Sequence, residues 1–168
     1  LLLEFPAEEY ESRIRNLTRT MEEQNLDAVI LTSRDQTRYF CGFQIIVWIS
    51  NLSKPGALVI TRDGRTIFVG PYARISTVEV TAKVDELNPW DPKGRDGLPT
   101  SCAEAVHHAL LTNGVSQGQL GMEIGPEMRM HLSHDDRTSL WALLGNYSIV
   151  DAGPAIWPLR AVKSPLEI

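Results

Sequence analysis

The sequence predicts an α/β domain, a mixed β-sheet forming the middle of three layers with helices on its faces. Helical and strand hydrophobic periods alternate along most of the chain, as they do when helices cover a sheet. The run Ala28-Val29-Ile30-Leu31 is apolar throughout and too short for a helix, which suits a strand buried on both faces. It feeds a polar turn, Thr32-Ser33, and open α/β sheets place ligands at the carboxyl ends of such strands.

Taken in order, Pro6 with Glu8 and Glu9 behind it starts a helix, Pro6–Gln24: proline needs no donor there, and the acids suit the positive end of the dipole. Tyr10, Ile14, Leu17 and Met21 form its apolar stripe. The opposite face carries Glu9–Arg13, Glu11–Arg15 and Arg19–Glu23 as i,i+4 pairs. Asn25 stops it before the strand Ala28–Leu31. Ser33 then caps a short helix, Arg34 to Tyr39, which Gly42 ends. Gln44 to Ser50 (QIIVWIS) is strongly β-prone. Ala57–Thr61 and Thr66–Val69 flank Arg62-Asp63-Gly64-Arg65, a hairpin signal. Pro71 starts a short helix towards Thr81, Val84 to Leu87 is a further candidate strand, and Asn88 to Pro99 reads as a turn-rich loop. A helix Pro99–Thr112, a strand Leu120–Glu123, a helix Ser133–Leu144 and a strand Ser148–Val150 follow.

At 168 residues the chain suits one domain, able to bury about 70% of the surface its unfolded form exposes. Sixteen basic against 21 acidic residues, a net charge of −5, speak against nucleic acid as a partner. Cys41 and Cys102 are too few for a disulfide scaffold and fit a reducing cytoplasm. No apolar segment approaches the ~20 residues that span a bilayer, so no membrane partner is expected. Leu1-Leu2-Leu3 is followed at once by Glu4 and Pro6 and does not read as a signal peptide.

Local chemical motifs fail on their context. Gly114-Val115-Ser116-Gln117-Gly118 has the spacing of a hydrolase nucleophile elbow, but a helix precedes it and a strand follows, the reverse of what throws a serine above a sheet. His131-Leu132-Ser133-His134-Asp135-Asp136 lacks His-Glu-x-x-His spacing, and Ser133 as a cap would break a helix between the histidines. His107 and His108 are adjacent, so on a helix they diverge by about 100°. Cys41 reads as a buried, inert thiol. Ser164-Pro165-Leu166-Glu167 is a helix start, with an N-cap serine, a first-position proline and a third-position glutamate, which suggests that a longer protein continues from it.

Glu9-Tyr10-x-x-Arg13, Leu26-Asp27-Ala28, Tyr39-x-x-Gly42-Phe43, Gly121-x-Glu123, Val150-Asp151-Ala152 and Arg160-x-x-Lys163-Ser164-Pro165-x-Glu167-Ile168 occur in this order. In this the whole chain resembles the N-terminal domain of the creatinase/prolidase family, the pita-bread metallohydrolases that include Xaa-Pro aminopeptidases. Asp35-Gln36-Thr37 departs from the Glu-Asn and aliphatic residue of many relatives. The resemblance implies a ribonuclease H-like sheet over residues 1–162 and the start of a linker helix at 163–168. A C-terminal catalytic domain of the same chain would follow. A divalent metal pair (manganese, cobalt or zinc), where there is one, would belong to that domain, with no catalytic residue and no cofactor in this fragment.

The resemblance also implies a cytoplasmic homodimer in which this domain walls the partner subunit's active site. Trp90 and Trp157 are the spare apolar residues for such an interface. Trp48 and Gln44 are the substrate-side candidates, with Arg34 and Arg38 from the preceding turn placed to attract a carboxylate bidentately. Trp48 as the core of a β-segment is the competing reading. A protein-binding module from a non-catalytic pita-bread relative and a free-standing small-molecule-binding α/β domain are the alternative functions.

Overall fold

The computed structural model describes residues 2–43 and 55–168. Helix α1 (Ala7–Glu23) begins after Pro6 with Glu8 and Glu9 in its first turn, and it buries Tyr10, Leu17 and Met21. Asn25 takes a left-handed φ of 55° and turns the chain into β1 (Ala28–Leu31), whose four residues are all buried. The Ser33 side chain caps α2 (Arg34–Cys41) by accepting from Gln36 N.

Gly42 ends α2 at φ 80°, and a Cβ there would lie 3.0 Å from both Leu3 and Tyr10. Glycine is needed for the backbone and for the space. Gly42→Ala is therefore expected to lower the unfolding free energy by about 1–2 kcal/mol, read as a reduced urea midpoint at unchanged slope.

Strands β2 (Ala57–Thr61) and β3 (Thr66–Pro71) form the expected hairpin. Gly64, at φ 88°, donates to Thr61 O at 2.9 Å. After a single 3₁₀ turn, Tyr72–Arg74, come α3 (Ile75–Thr81) and β4 (Glu86–Trp90). Here the structure corrects the sequence reading: Asn88-Pro89-Trp90, assigned to a loop, belongs to the strand. Among the described residues β4 is an edge strand paired only with β3, the place in a sheet where a proline without an N–H is tolerated. Trp90, expected at a dimer surface, is 6% exposed, and its Nε1 donates to Pro55 O.

The chain continues through α4 (Cys102–Thr112), β5 (Gly118–Met122), α5 (His134–Leu143), β6 (Tyr147–Asp151) and α6 (Gly153–Ala161). Ser101 and Ser133 cap α4 and α5. The sequence left α6 unassigned. Pro154 sits in its first turn, where it needs no donor, but Pro158 lies inside it and removes a helical bond. Packing compensates: Ala155 and Ile156 are buried, and Ala155 O accepts from Thr20 Oγ1 of α1 at 3.2 Å.

The six strands run in the order β4-β3-β2-β1-β5-β6, with β1–β2 and β2–β3 antiparallel and the other pairs parallel. Alternation along each strand divides the core. Ala28, Ile30, Val59, Ile67 and Val69 face α4 and α5. Val29, Leu31, Leu58, Ile60 and Phe68 face residues of α1, α2, α3 and α6. The result is the three-layer α/β arrangement expected, with one helix more than the sequence disclosed.

Candidate functional site

The carboxyl ends of β1, β5 and β6 are tied together by two acids, one buried and one half-buried. Glu123, one residue past β5, is 2% exposed. Its Oε2 accepts from Thr32 N (2.6 Å), Thr32 Oγ1 (2.9 Å) and Ser33 N (2.9 Å), so one carboxylate oxygen holds the whole turn between β1 and α2. Thr32 Oγ1 accepts in turn from His131 N at 2.9 Å. Glu123 Oε1 has no hydrogen-bond partner among the described residues. Burial pushes the Glu123 carboxyl above its ordinary range, against the hydrogen bonds from Ser33 and Thr32 that pull it down. Asp151 at the end of β6 plays a similar part, accepting from Gly125 N (3.1 Å) and Gly153 N (2.9 Å).

A second cluster joins α1, α2, α6 and residues 163–167. Arg13, read from the sequence as part of a polar helix face, is 5% exposed. Its guanidinium lies 4.8, 5.5 and 4.2 Å from the ring centres of Phe5, Tyr10 and Tyr39. NH1 donates to Tyr39 O at 2.8 Å and Nε to Glu9 Oε1 at 3.1 Å. NH2 is 3.0 Å from Glu9 Oε1 and 3.6 Å from Glu167 Oε1, yet its directions make a hydrogen bond with neither. Proximity alone neutralises it there. Arg160 also lies against Tyr39, at 5.2 Å from its ring centre, and donates to Gln36 Oε1 at 3.1 Å. Burial raises the Tyr39 phenol's pKa, while the nearby Arg13 charge opposes the shift.

Between these groups and the N-terminal segment lies an open cleft of about 280 Å³ lined by Arg13, Arg38, Tyr39, Arg160 and Lys163 together with Glu4, Asp35 and Glu167. Arg38, the expected carboxylate receptor, already holds one: its Nε and NH2 grip Glu4 Oε2 and Oε1 at 2.9 and 2.5 Å. That bond holds Arg38 more firmly protonated than usual. Arg34 is half-buried and, among the described residues, has no ion-pair partner. Arg38 lines this cleft, whereas Arg34 is not among its lining residues. Gln44 and Trp48 lie outside the described residues.

The negative readings sit where they were expected. Ser116 is exposed in the turn between α4 and β5. Cys41 is buried, its thiol pushed up to about 12. Trp157 is half-buried against the core beside Arg160 rather than free at a surface. Sequence reasoning named Arg13, Tyr39, Arg160 and Glu167 separately but did not place them together. Gln36 entered only as part of the departing triplet Asp35-Gln36-Thr37, with no role assigned; it is buried on α2 and accepts from Arg160.

The sequence profile described as the Creatinase/Prolidase N-terminal domain matches residues 13–162, most of the chain. This protein belongs to that family. Creatinase of Bacillus sp. (strain B-0618) is 27% identical to this creatinase/prolidase domain over 170 residues, covering 98% of the chain but 36% of that enzyme. The chain thus spans about a third of the length of that curated relative. Among solved structures, a prolidase from Thermococcus sibiricus superposes with a TM-score of 0.70 at 13% identity, over 92% of this chain and 38% of its own. An Xaa-Pro aminopeptidase structure from Streptococcus pyogenes gives 0.64 at 15% identity, over 92% of this chain and all of the other. At such identities these two matches establish the shared fold of the creatinase/prolidase domain. No helix among its described residues is long and apolar enough to cross a membrane.

Proposed function

We propose that this chain is the non-catalytic N-terminal domain of a larger Xaa-Pro peptidase- or creatinase-like hydrolase, dimeric and cytoplasmic. In this reading it contributes to the dimer interface and to the wall of the partner subunit's substrate pocket. The observation that carries the reading is the match to creatinase, which runs through 98% of this chain and only 36% of the enzyme. Among the described residues no group of three or more histidine, cysteine, aspartate or glutamate side chains is placed to hold a metal ion, so the divalent pair of such hydrolases does not fit among them. The free, buried Cys41 and Cys102 suit the reducing compartment proposed.

What the domain supplies is position. Glu123 and the Arg13 cluster hold α2 at both ends. An element held in this way can support a pocket wall that excludes water without joining the chemistry. In the longer protein, Trp48→Ala is expected to raise KM or lower kcat while the melting temperature stays nearly constant. A loss of about 3–5 kcal/mol in stability with no specific kinetic defect would make Trp48 a core residue instead. A longer protein that sediments as a monomer at micromolar concentration would remove the dimer from this reading.

A further inference from the structure

Arg13 is the one buried cation of the second cluster, and it is incompletely used. Two of its nitrogens are committed, NH1 to Tyr39 O and Nε to Glu9, whereas NH2 makes no hydrogen bond. The nearest group able to complete it, apart from Glu9, is the Glu167 carboxylate at 3.6 Å, itself only 16% exposed. Glu167 is doubly engaged. Its Oε2 accepts from Ser164 N at 3.0 Å, and its own N–H donates to Ser164 O at 3.0 Å. This is the glutamate half of a capping box, in which the third helical residue reaches back to the cap. The same carboxylate therefore closes the turn Ser164–Glu167 and lies 3.6 Å from a charge fixed in α1.

We propose that Arg13 and Glu167 form a latch that sets the direction in which the chain leaves this domain, the occupant of the Arg13 socket being the chain's own segment 164–168. The proposal rests on the reading above, that a further domain follows. Two rigid supports give the latch directional force. Both Arg13 and Arg160 lie against Tyr39, at 4.2 and 5.2 Å from its ring centre, which restricts the socket. Lys163 Nζ donates to Arg160 O at 2.6 Å, which fixes the residue entering the cap. A turn held on one side by a buried arginine has little freedom to swing about Ser164. Leu166, by contrast, is 51% exposed and plays no part in the grip.

The test is limited trypsinolysis of the 168-residue chain, with mass spectrometry reading cleavage at the Lys163–Ser164 bond. When opening is fast relative to cleavage, the rate follows the population of the open form. Glu167→Gln keeps an oxygen for the cap but removes the charge facing Arg13. It is expected to raise cleavage at that bond roughly five- to tenfold, with the global melting temperature unchanged. Arg13→Lys keeps the charge and loses the fork. Combined with Glu167→Gln it is expected to accelerate cleavage at this bond by clearly less than the product of the two single effects, because both changes weaken the same contact. Leu166→Ala is expected to cleave at the parent rate. Parent-rate cleavage of Glu167→Gln, or multiplying effects in the double variant, would overturn the latch. A coding sequence that ends shortly after residue 168 would instead remove the domain it is proposed to orient and leave the proteolysis result standing. Where a further domain is present, an interdomain label distance unchanged by Glu167→Gln would show that the latch does not set direction.

Discussion

Glu123→Ala is expected to lower the unfolding free energy by about 3–5 kcal/mol, a large part of the usual total for a domain. The substitution removes one acceptor, but it strands three donors, Thr32 N, Thr32 Oγ1 and Ser33 N, where little water reaches them. Each orphaned buried donor costs about 1–3 kcal/mol, and partial entry of water lowers the sum. Because Ser33 also caps α2, loosening the turn frees the helix that carries Arg34 and Arg38. Amide exchange in α2 should therefore accelerate more than in α4, on the opposite face. A variant of parental stability would mean that the turn is held by β1 alone.

The same residue makes a pH prediction of definite sign. Burial raises the folded carboxyl pKa above the unfolded value of about 4.3, so the folded state binds its proton more tightly. The associated stability is fully present below the unfolded value and is lost as pH rises through the folded one. Measured against Glu123→Gln, which keeps an acceptor and does not titrate, the parent should lose relative stability from about pH 4 upward. A relative gain over that range would mean that the three hydrogen bonds outweigh desolvation.

Arg13→Ala is the other large effect, expected at about 3–5 kcal/mol. Three losses coincide: the bond that holds the Tyr39 carbonyl, the stacking against three aromatic rings, and the cation facing Glu9 and Glu167. The two acids, 14% and 16% exposed, would face one another without compensation. Arg13→Lys should recover less than half of the loss, since an ammonium cannot serve the Tyr39 carbonyl and two carboxylates from one plane. Equilibrium urea unfolding of the two variants separates charge from fork geometry. Equal stability of the lysine variant and the parent would reduce the cluster to simple charge balance.

These two residues show where local reading stops. Glu9 and Arg13 were visible as an i,i+4 pair, and such pairs are ordinarily solvated supports worth a few tenths of a kcal/mol. Of the three pairs expected along α1, this is the one whose ion pair is formed among the described residues; Glu11 pairs instead with Lys83. Nothing in α1 itself says that position 13 turns inward. The carbonyl and ring that receive it come from Tyr39, 26 positions away. Glu123 was noticed as part of Gly-x-Glu, but its donors lie some 90 positions earlier. A carboxylate after a buried strand looks like a loop residue until the neighbouring strand is placed beside it.

What the sequence determined by itself is the set of elements whose signals are local. β1 and β2 occupy their expected residues because unbroken apolar runs of four or five have no other stable place than a sheet interior. α2 follows from a serine that satisfies a helix's free N–H and a glycine that can take positive φ. The hairpin follows from Asp63-Gly64, and the capping signature at 164–167 reappears as a bond between Glu167 and Ser164 N. The tertiary structure alone decided the strand order, the extension of β4 through Pro89, the helix α6 despite Pro158, and the meeting of Arg13, Tyr39, Arg160 and Glu167. In each case the deciding energy is absent from the segment concerned. An edge strand tolerates proline because nothing pairs beyond it, a short helix survives by what it buries against its neighbour, and a charge stays buried where distant residues surround it.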